Sequence, residues 1–97
     1  MDISQYSLAN VNEKPIPKEV IFKLWQEKAL KFCGNFTAED VNLTKHTPVQ
    51  CHDRVTKTHD NCESTLMVGA PNMISQKAVS KQLGQKYFSC VLPSPSL

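Results

Sequence analysis

Pro17–Gly34, PKEVIFKLWQEKALKFCG, is the one long stretch of this chain that carries helix signals at both ends. Pro17 suits a first helical turn, where its missing N–H has no partner to lose. Gly34 suits the residue after a helix, where φ turns positive. Between them Ile21, Phe22, Leu24, Trp25, Ala29, Phe32 and Cys33 gather on one side at the 3.6-residue period. The opposite side carries Glu19, Lys23, Gln26, Glu27 and Lys31, with Glu19→Lys23 and Glu27→Lys31 in the favourable i,i+4 order. Lys28 edges the apolar arc and must snorkel. Leu30 falls on the polar side, where a partner could cover it. Trp25, the single tryptophan, is expected to be the best-buried aromatic, packed by Phe22, Phe32 and Leu83.

Outward from this helix the signals are shorter. Residues 1–16 are polar and end in a Pro-Ile-Pro punctuation, which reads as an N-terminal arm. After the helix, Thr37 is a good N-cap with Asp40 three residues on, and a short helix is expected from Ala38 to about Lys45. Thr47-Pro48-Val49-Gln50 is a second start signal, with a helix to about Thr58. Asp60–Glu63 reads as a loop, Ser64–Val68 as a short β-prone run and Gly69–Asn72 as a turn. Ser75 opens a further helix, with Ala78, Val79, Gln82 and Leu83 on one face and Gly84 after its end. Tyr87, Phe88, Val91 and Leu92 form a last apolar cluster, stopped by Pro93 and Pro95. The expected fold class is mainly α: one small helical domain of about four helices over residues 17–92, a short β element, and a disordered tail at 93–97. No internal repeat is found at a fixed period.

The 97 residues make a single domain with a modest core. No stretch approaches the apolar length of a membrane span, and the N-terminus lacks the basic and apolar regions of a signal peptide. The net charge of +2 names no partner, but its distribution is uneven. Acids just outnumber bases up to Thr44, whereas Lys45, Arg54, Lys57, Lys77, Lys81 and Lys86 outnumber Asp53, Asp60 and Glu63 beyond it. That mild basic bias is compatible with phosphate contact. Cys33, Cys51, Cys62 and Cys90 are read as reduced, which goes with an intracellular chain, cytoplasmic or nuclear. Asn35-Phe-Thr and Asn42-Leu-Thr match the glycosylation sequon, which matters only for a secreted chain.

Two stretches resemble helix-turn-helix domains. SQKAVSKQLGQ, residues 75–85, is similar to the first helix and corner of that motif, with Ser80 and Gly84 at the tight turn. FTAEDVNLTKHTPVQCHDRVTKTH, residues 36–59, resembles the second and third helices of winged-helix domains, with STLMVGAP as part of a wing. FTAEDV is also similar to the loop-to-helix corner of histone-fold proteins. The winged-helix resemblance implies DNA as partner and Pro48–Thr58 as the recognition helix. On it Gln50, His52, Arg54 and Lys57 would face outward, and Lys45 precedes it. Arg reads guanine, Gln reads adenine, and Lys contacts phosphate. A solvated helix face explains the same residues without a ligand.

His46, Cys51, His52, His59 and Cys62 bring zinc-ligand chemistry into seventeen positions. The spacing fits no standard finger, so no metal or other cofactor is expected. Cys51, His59 and Cys62 are the trio that would hold zinc if one were bound. No glycine-rich phosphate loop is present and nothing marks an oxyanion site, so the chain reads as a non-enzyme. The leading expectation is therefore a small nucleic-acid-binding, transcription-regulatory or accessory protein, with a homodimer as a candidate assembly and no membrane partner. The alternative is a non-catalytic protein-interaction module: an inhibitor, an adaptor or a small subunit of a larger assembly. The polar arm, the thin core and Leu30 favour it.

Overall fold

The fold, taken from a computed structural model that describes residues 3–95, starts with a single 3-10 turn at Leu8–Asn10. There follow β1 (Ile16–Pro17), α1 (Lys18–Gly34), α2 (Ala38–Thr44), α3 (Pro48–Met67), β2 (Met73–Ile74) and α4 (Lys77–Val91). The mainly α class with a short β element is what the structure has. Residues 1–2 of the expected arm and 96–97 of the expected tail lie outside the described residues.

Helix α1 buries Val20, Ile21, Phe22, Trp25, Ala29 and Cys33, close to the expected stripe. Two details differ. Phe32 is 52% exposed and packs edge-on against Phe36 instead of Trp25. Gly34 is the last residue of the helix, and no described glycine has positive φ; among the described residues the one left-handed position is Lys45, which ends α2 at φ 59°. Trp25 is buried, but Phe22 and Tyr87 are more completely so. Both flank Trp25, with ring centroids 5.2 and 5.9 Å away.

The helix starts at α2 and α3 follow their local signals. Thr37 and Asp40 form a reciprocal capping box, as do Thr47 and Gln50. Helix α3, however, runs on to Met67. The expected loop at 60–63 and the β-prone run from Ser64 are helical, and the β element lies further on at Met73–Ile74. The reason is a continuous inward stripe, Cys51, Val55, His59 and Cys62, with Leu66 packed beside it. Its helical period is obscured in the sequence because a histidine and two cysteines stand where aliphatic residues usually do. The last turn of α3 is closed from outside: Lys18 Nζ donates to the Met67 carbonyl at 3.2 Å, a cation on a helix C-terminus.

The N-terminal segment is more than an arm. Val11 and Ile16 are fully buried, Ile16 pairs with Ile74 in the antiparallel β1–β2 bridge, and Asn12 Oδ1 accepts from the Lys77 amide at 3.0 Å. That last bond supplies the N-cap that Gln76 does not, since Gln76 makes no side-chain cap of its own.

Helix α4 also outruns its expected end. Gly84 lies in its interior, and the helix continues to Val91, burying Tyr87 and Val91. No corner exists at Gly84, so residues 75–85 do not form the turn of a helix-turn-helix. Residues 64–67 end α3, so they do not form a wing. Gly84 is there for proximity: a Cβ at this position would meet the Trp25 indole at 3.4 Å.

The four cysteines are paired. Cys33–Cys51 joins the end of α1 to the start of α3, and Cys62–Cys90 joins α3 to the last turn of α4. No described cysteine is free, which overturns the expectation of reduced thiols. Packing of α1 and α4 on α3 brings the Cα atoms to 5.4 and 6.0 Å, within bonding reach.

Three outcomes follow. Gly84→Ala should change stability by no more than about 1 kcal/mol, gaining helix propensity against a contact just at van der Waals distance. Gly84→Leu should cost about 1–3 kcal/mol by displacing Trp25, read as a red-shifted tryptophan emission and an earlier denaturant midpoint. Replacing Cys33 and Cys51 together by alanine should cost about 3 kcal/mol, the loop-closure value for a crosslink of this span, measured by denaturant titration.

Candidate functional site

Helix α3 presents Gln50, His52, Arg54 and Lys57 of the expected recognition face, and Lys45 ends α2. Lys45, Gln50, Arg54 and Lys57 line one shallow groove of about 370 Å³ together with His46, Asp53 and Thr58. His52 does not join them. It lines the neighbouring groove with Leu30, Gly34, Pro48, Val49, Asp53 and Thr56. Four of the five expected residues are thus brought together and one is turned aside.

The groove is less cationic than its lysines suggest. Asp53 sits one turn before Lys57 and bonds it at 2.9 Å. This hydrogen bond, and the charge of the same carboxylate, raise the Lys57 pKa above its ordinary value. Arg54 is half-buried, and its Nε is covered with no hydrogen-bond partner. Asp40 is occupied by the Thr37 cap and does not draw Arg54 inward. Nor do the described N-terminal residues line this groove; Ser7, Leu8 and Ala9 line a different one with Leu24, Glu27 and Lys31 of α1.

The second groove is mainly apolar and about 490 Å³. Leu30, which looked misplaced on the polar side of α1, is half-buried there opposite Val49 of α3. Val49 is 78% exposed, and Phe32, Leu43, Val68 and Met73 are exposed as well. Among the described residues these side chains are only partly covered, Phe32 by its edge contact with Phe36.

The residues considered for zinc are not assembled. Cys51 and Cys62 belong to different disulfides, and a bonded sulfur has no thiolate to offer a metal. No group of metal-ligating side chains is found among the described residues. His59 is drawn into a different arrangement, which sequence reading missed. Its Nδ1 lies 2.8 Å from the Tyr87 hydroxyl and its Nε2 lies 3.0 Å from Glu63. An ionised Glu63 can only accept, so Nε2 carries a hydrogen. On a neutral ring Nδ1 then accepts from the Tyr87 O–H. The i,i+4 spacing of His59 and Glu63 was the one legible signal; the Tyr87 contact spans 28 residues.

A Tyr–His–Glu chain resembles catalytic machinery in its bonding order, but the Tyr87 side chain is fully buried, and a substrate in solution cannot meet its oxygen. Its physical work is to satisfy two polar groups in the interior. Burial, and secondarily the negative charge of Glu63, push the Tyr87 pKa well above the ordinary tyrosine value. A group that keeps its proton longer folded than unfolded makes stability fall as pH rises. The contribution is full below about pH 10, where an unfolded tyrosine titrates, and is lost progressively above it. Urea titrations of the wild type and Tyr87→Phe between pH 8 and 11 should therefore show a steeper alkaline loss in the wild type. Parallel slopes would contradict the assignment.

No described helix is long and apolar enough to cross a membrane. Compared with protein-family models, with curated proteins and with solved structures, the chain matches none of them.

Proposed function

We propose that this chain is a non-catalytic protein-interaction module, an inhibitor, adaptor or small subunit, built as a disulfide-clamped helical scaffold for an oxidising compartment. The observation that carries this reading is the pair of disulfides anchoring α3 to α1 and to α4. Such bonds persist where thiols are oxidised and are rare in the reducing cytosol. Two crosslinks supplement a core of only modest size, so apolar residues such as Val49 and Leu30 are left for the surface. In an oxidising, secretory setting the two sequons also acquire meaning. Asn35 and Asn42 are both exposed, and both lie inside the loop closed by Cys33–Cys51.

A second reading, nucleic-acid binding by a regulatory or accessory protein, is favoured by one observation. Lys45, at the end of α2, shares a groove with Gln50, Arg54 and Lys57 of α3. The Asp53–Lys57 pair weakens it, because an anion beside the lysine repels phosphate.

One set of measurements separates the two. Titration with random duplex DNA at two salt concentrations should give no steeply salt-dependent binding if the module reading holds. A slope of several units would support the DNA reading instead. Val49→Asp should leave stability within about 0.5 kcal/mol, as for an exposed site. It should also abolish association with the partner that co-purifies from the source. An unaffected complex would remove the α1–α3 groove from the interface.

A further inference from the structure

The two disulfides differ in what surrounds them. Cys33 and Cys51 are both fully buried, so their bond is sealed between α1 and α3. Cys62 is buried as well, but its partner Cys90 is exposed. Cys90 lines an open groove of about 690 Å³ with Gln82, Gln85, Lys86 and Ser89, all on α4. Lys86 precedes Cys90 by one turn, so the two share a helix face. No carboxylate of a described residue lines this groove. Glu63, the acid adjacent to Cys62 in sequence, is held at 3.0 Å by His59.

We propose that Cys62–Cys90 is a thiol–disulfide exchange site for a small anionic thiol, of the class of glutathione. This inference rests on the disulfide-clamped reading above and deepens it. Lys86 attracts the carboxylates of the incoming thiol, and Gln82, Gln85 and Ser89 offer hydrogen bonds to its peptide groups. Its thiolate attacks the sulfur of Cys90, the exposed partner of the pair. A new sulfur–sulfur bond forms there, the bond to Cys62 breaks, and the electron pair leaves on the Cys62 sulfur, which takes a proton from water. A second thiolate then attacks the sulfur of the bound thiol. Cys90 leaves as a thiolate and is protonated, and the small thiol departs as its own disulfide. Two small thiols are oxidised and one protein disulfide is reduced; the reverse sequence closes the bond. Access to the sulfur and the charge around it govern such exchange.

The fold is arranged to survive opening. The bond ties only the last turn of α4 to α3, while the Tyr87–His59 hydrogen bond and Cys33–Cys51 hold the core below it. Exchange at Cys90 therefore frees the end of α4 without releasing α1 from α3.

The test begins with the intact mass of the native protein under non-reducing conditions. Four hydrogens short of the reduced mass means both bonds are present; four free thiols would sink the clamped reading and this inference with it. Native protein is then exposed to reduced glutathione, trapped at intervals by alkylation, and mapped by peptide mass. Cys62 and Cys90 should be released at least about tenfold faster than Cys33 and Cys51, with the mixed disulfide on Cys90. Circular dichroism should stay native through this phase. Lys86→Glu should slow the reaction with glutathione about threefold or more while leaving that with neutral 2-mercaptoethanol unchanged. Cys62→Ser combined with Cys90→Ser should remove the fast phase and keep the slow one. Equal release of both bonds, release only in step with loss of helicity, or a mixed disulfide on Cys62 would overturn the exchange site. Equal effects of Lys86→Glu on both thiols would overturn its preference for an anionic thiol.

Discussion

Tyr87 must find a hydrogen-bond partner in the interior, and the meeting of three helices depends on how it does so. Its ring packs against Phe22 and Trp25 of α1, His59 of α3 and Phe88 of its own helix. Its hydroxyl reaches His59, which passes the polar demand outward to Glu63 at the half-exposed edge of α3. Left unpaired, a buried hydroxyl would cost about 1–3 kcal/mol. Paired, it aligns α4 against α3 in one register, because a hydrogen bond is directional where apolar packing is not. The Cys62–Cys90 bond lies three residues along from this contact on both helices and works in the same register.

Around that node the helices approach by different means. Gly84 lets α4 come close to the Trp25 indole. Cys33–Cys51 holds the end of α1 to the start of α3, and Lys18 caps the far end of α3 from the start of α1. The contacts at opposite ends show that α1 and α3 run antiparallel. The N-terminal segment completes the assembly by filling the core with Val11 and Ile16 and by capping α4 through Asn12. Gly84, Lys18 and Asn12 in these contacts are residue types that a hydrophobic pattern counts as neutral or polar.

This construction bears on the functional reading. The interior is organised by covalent bonds, aromatic rings and one polar relay, while several aliphatic residues stay at the surface. The α1–α3 groove with Leu30 and Val49 and the neighbouring polar groove share Asp53 as their common wall. A partner spanning both would meet apolar and charged chemistry side by side, which suits a protein surface better than the uniform charge of a nucleic-acid backbone.

What the sequence by itself determined is the local part: the stripe of α1, the capping boxes that start α2 and α3, and the mainly helical class. Those signals act over three or four residues, so they can be read without knowing what the helix meets. The tertiary structure decided the rest. Helix α3 continues past Thr58 because His59 and Cys62 have partners on α4, and α4 continues past Gly84 because Trp25 lies against it. Four cysteines allow three pairings, and helix packing selects one. The cap that Asn12 provides spans 65 residues, and the one from Lys18 spans 49. Gln50, Arg54 and Lys57 were legible as a set because α3 presents them, whereas Lys45 ends α2 and His52 lines the neighbouring groove. That Asp53 pairs with Lys57 and that Arg54 is partly covered depended on rotamers and neighbouring elements, which the residue order does not specify.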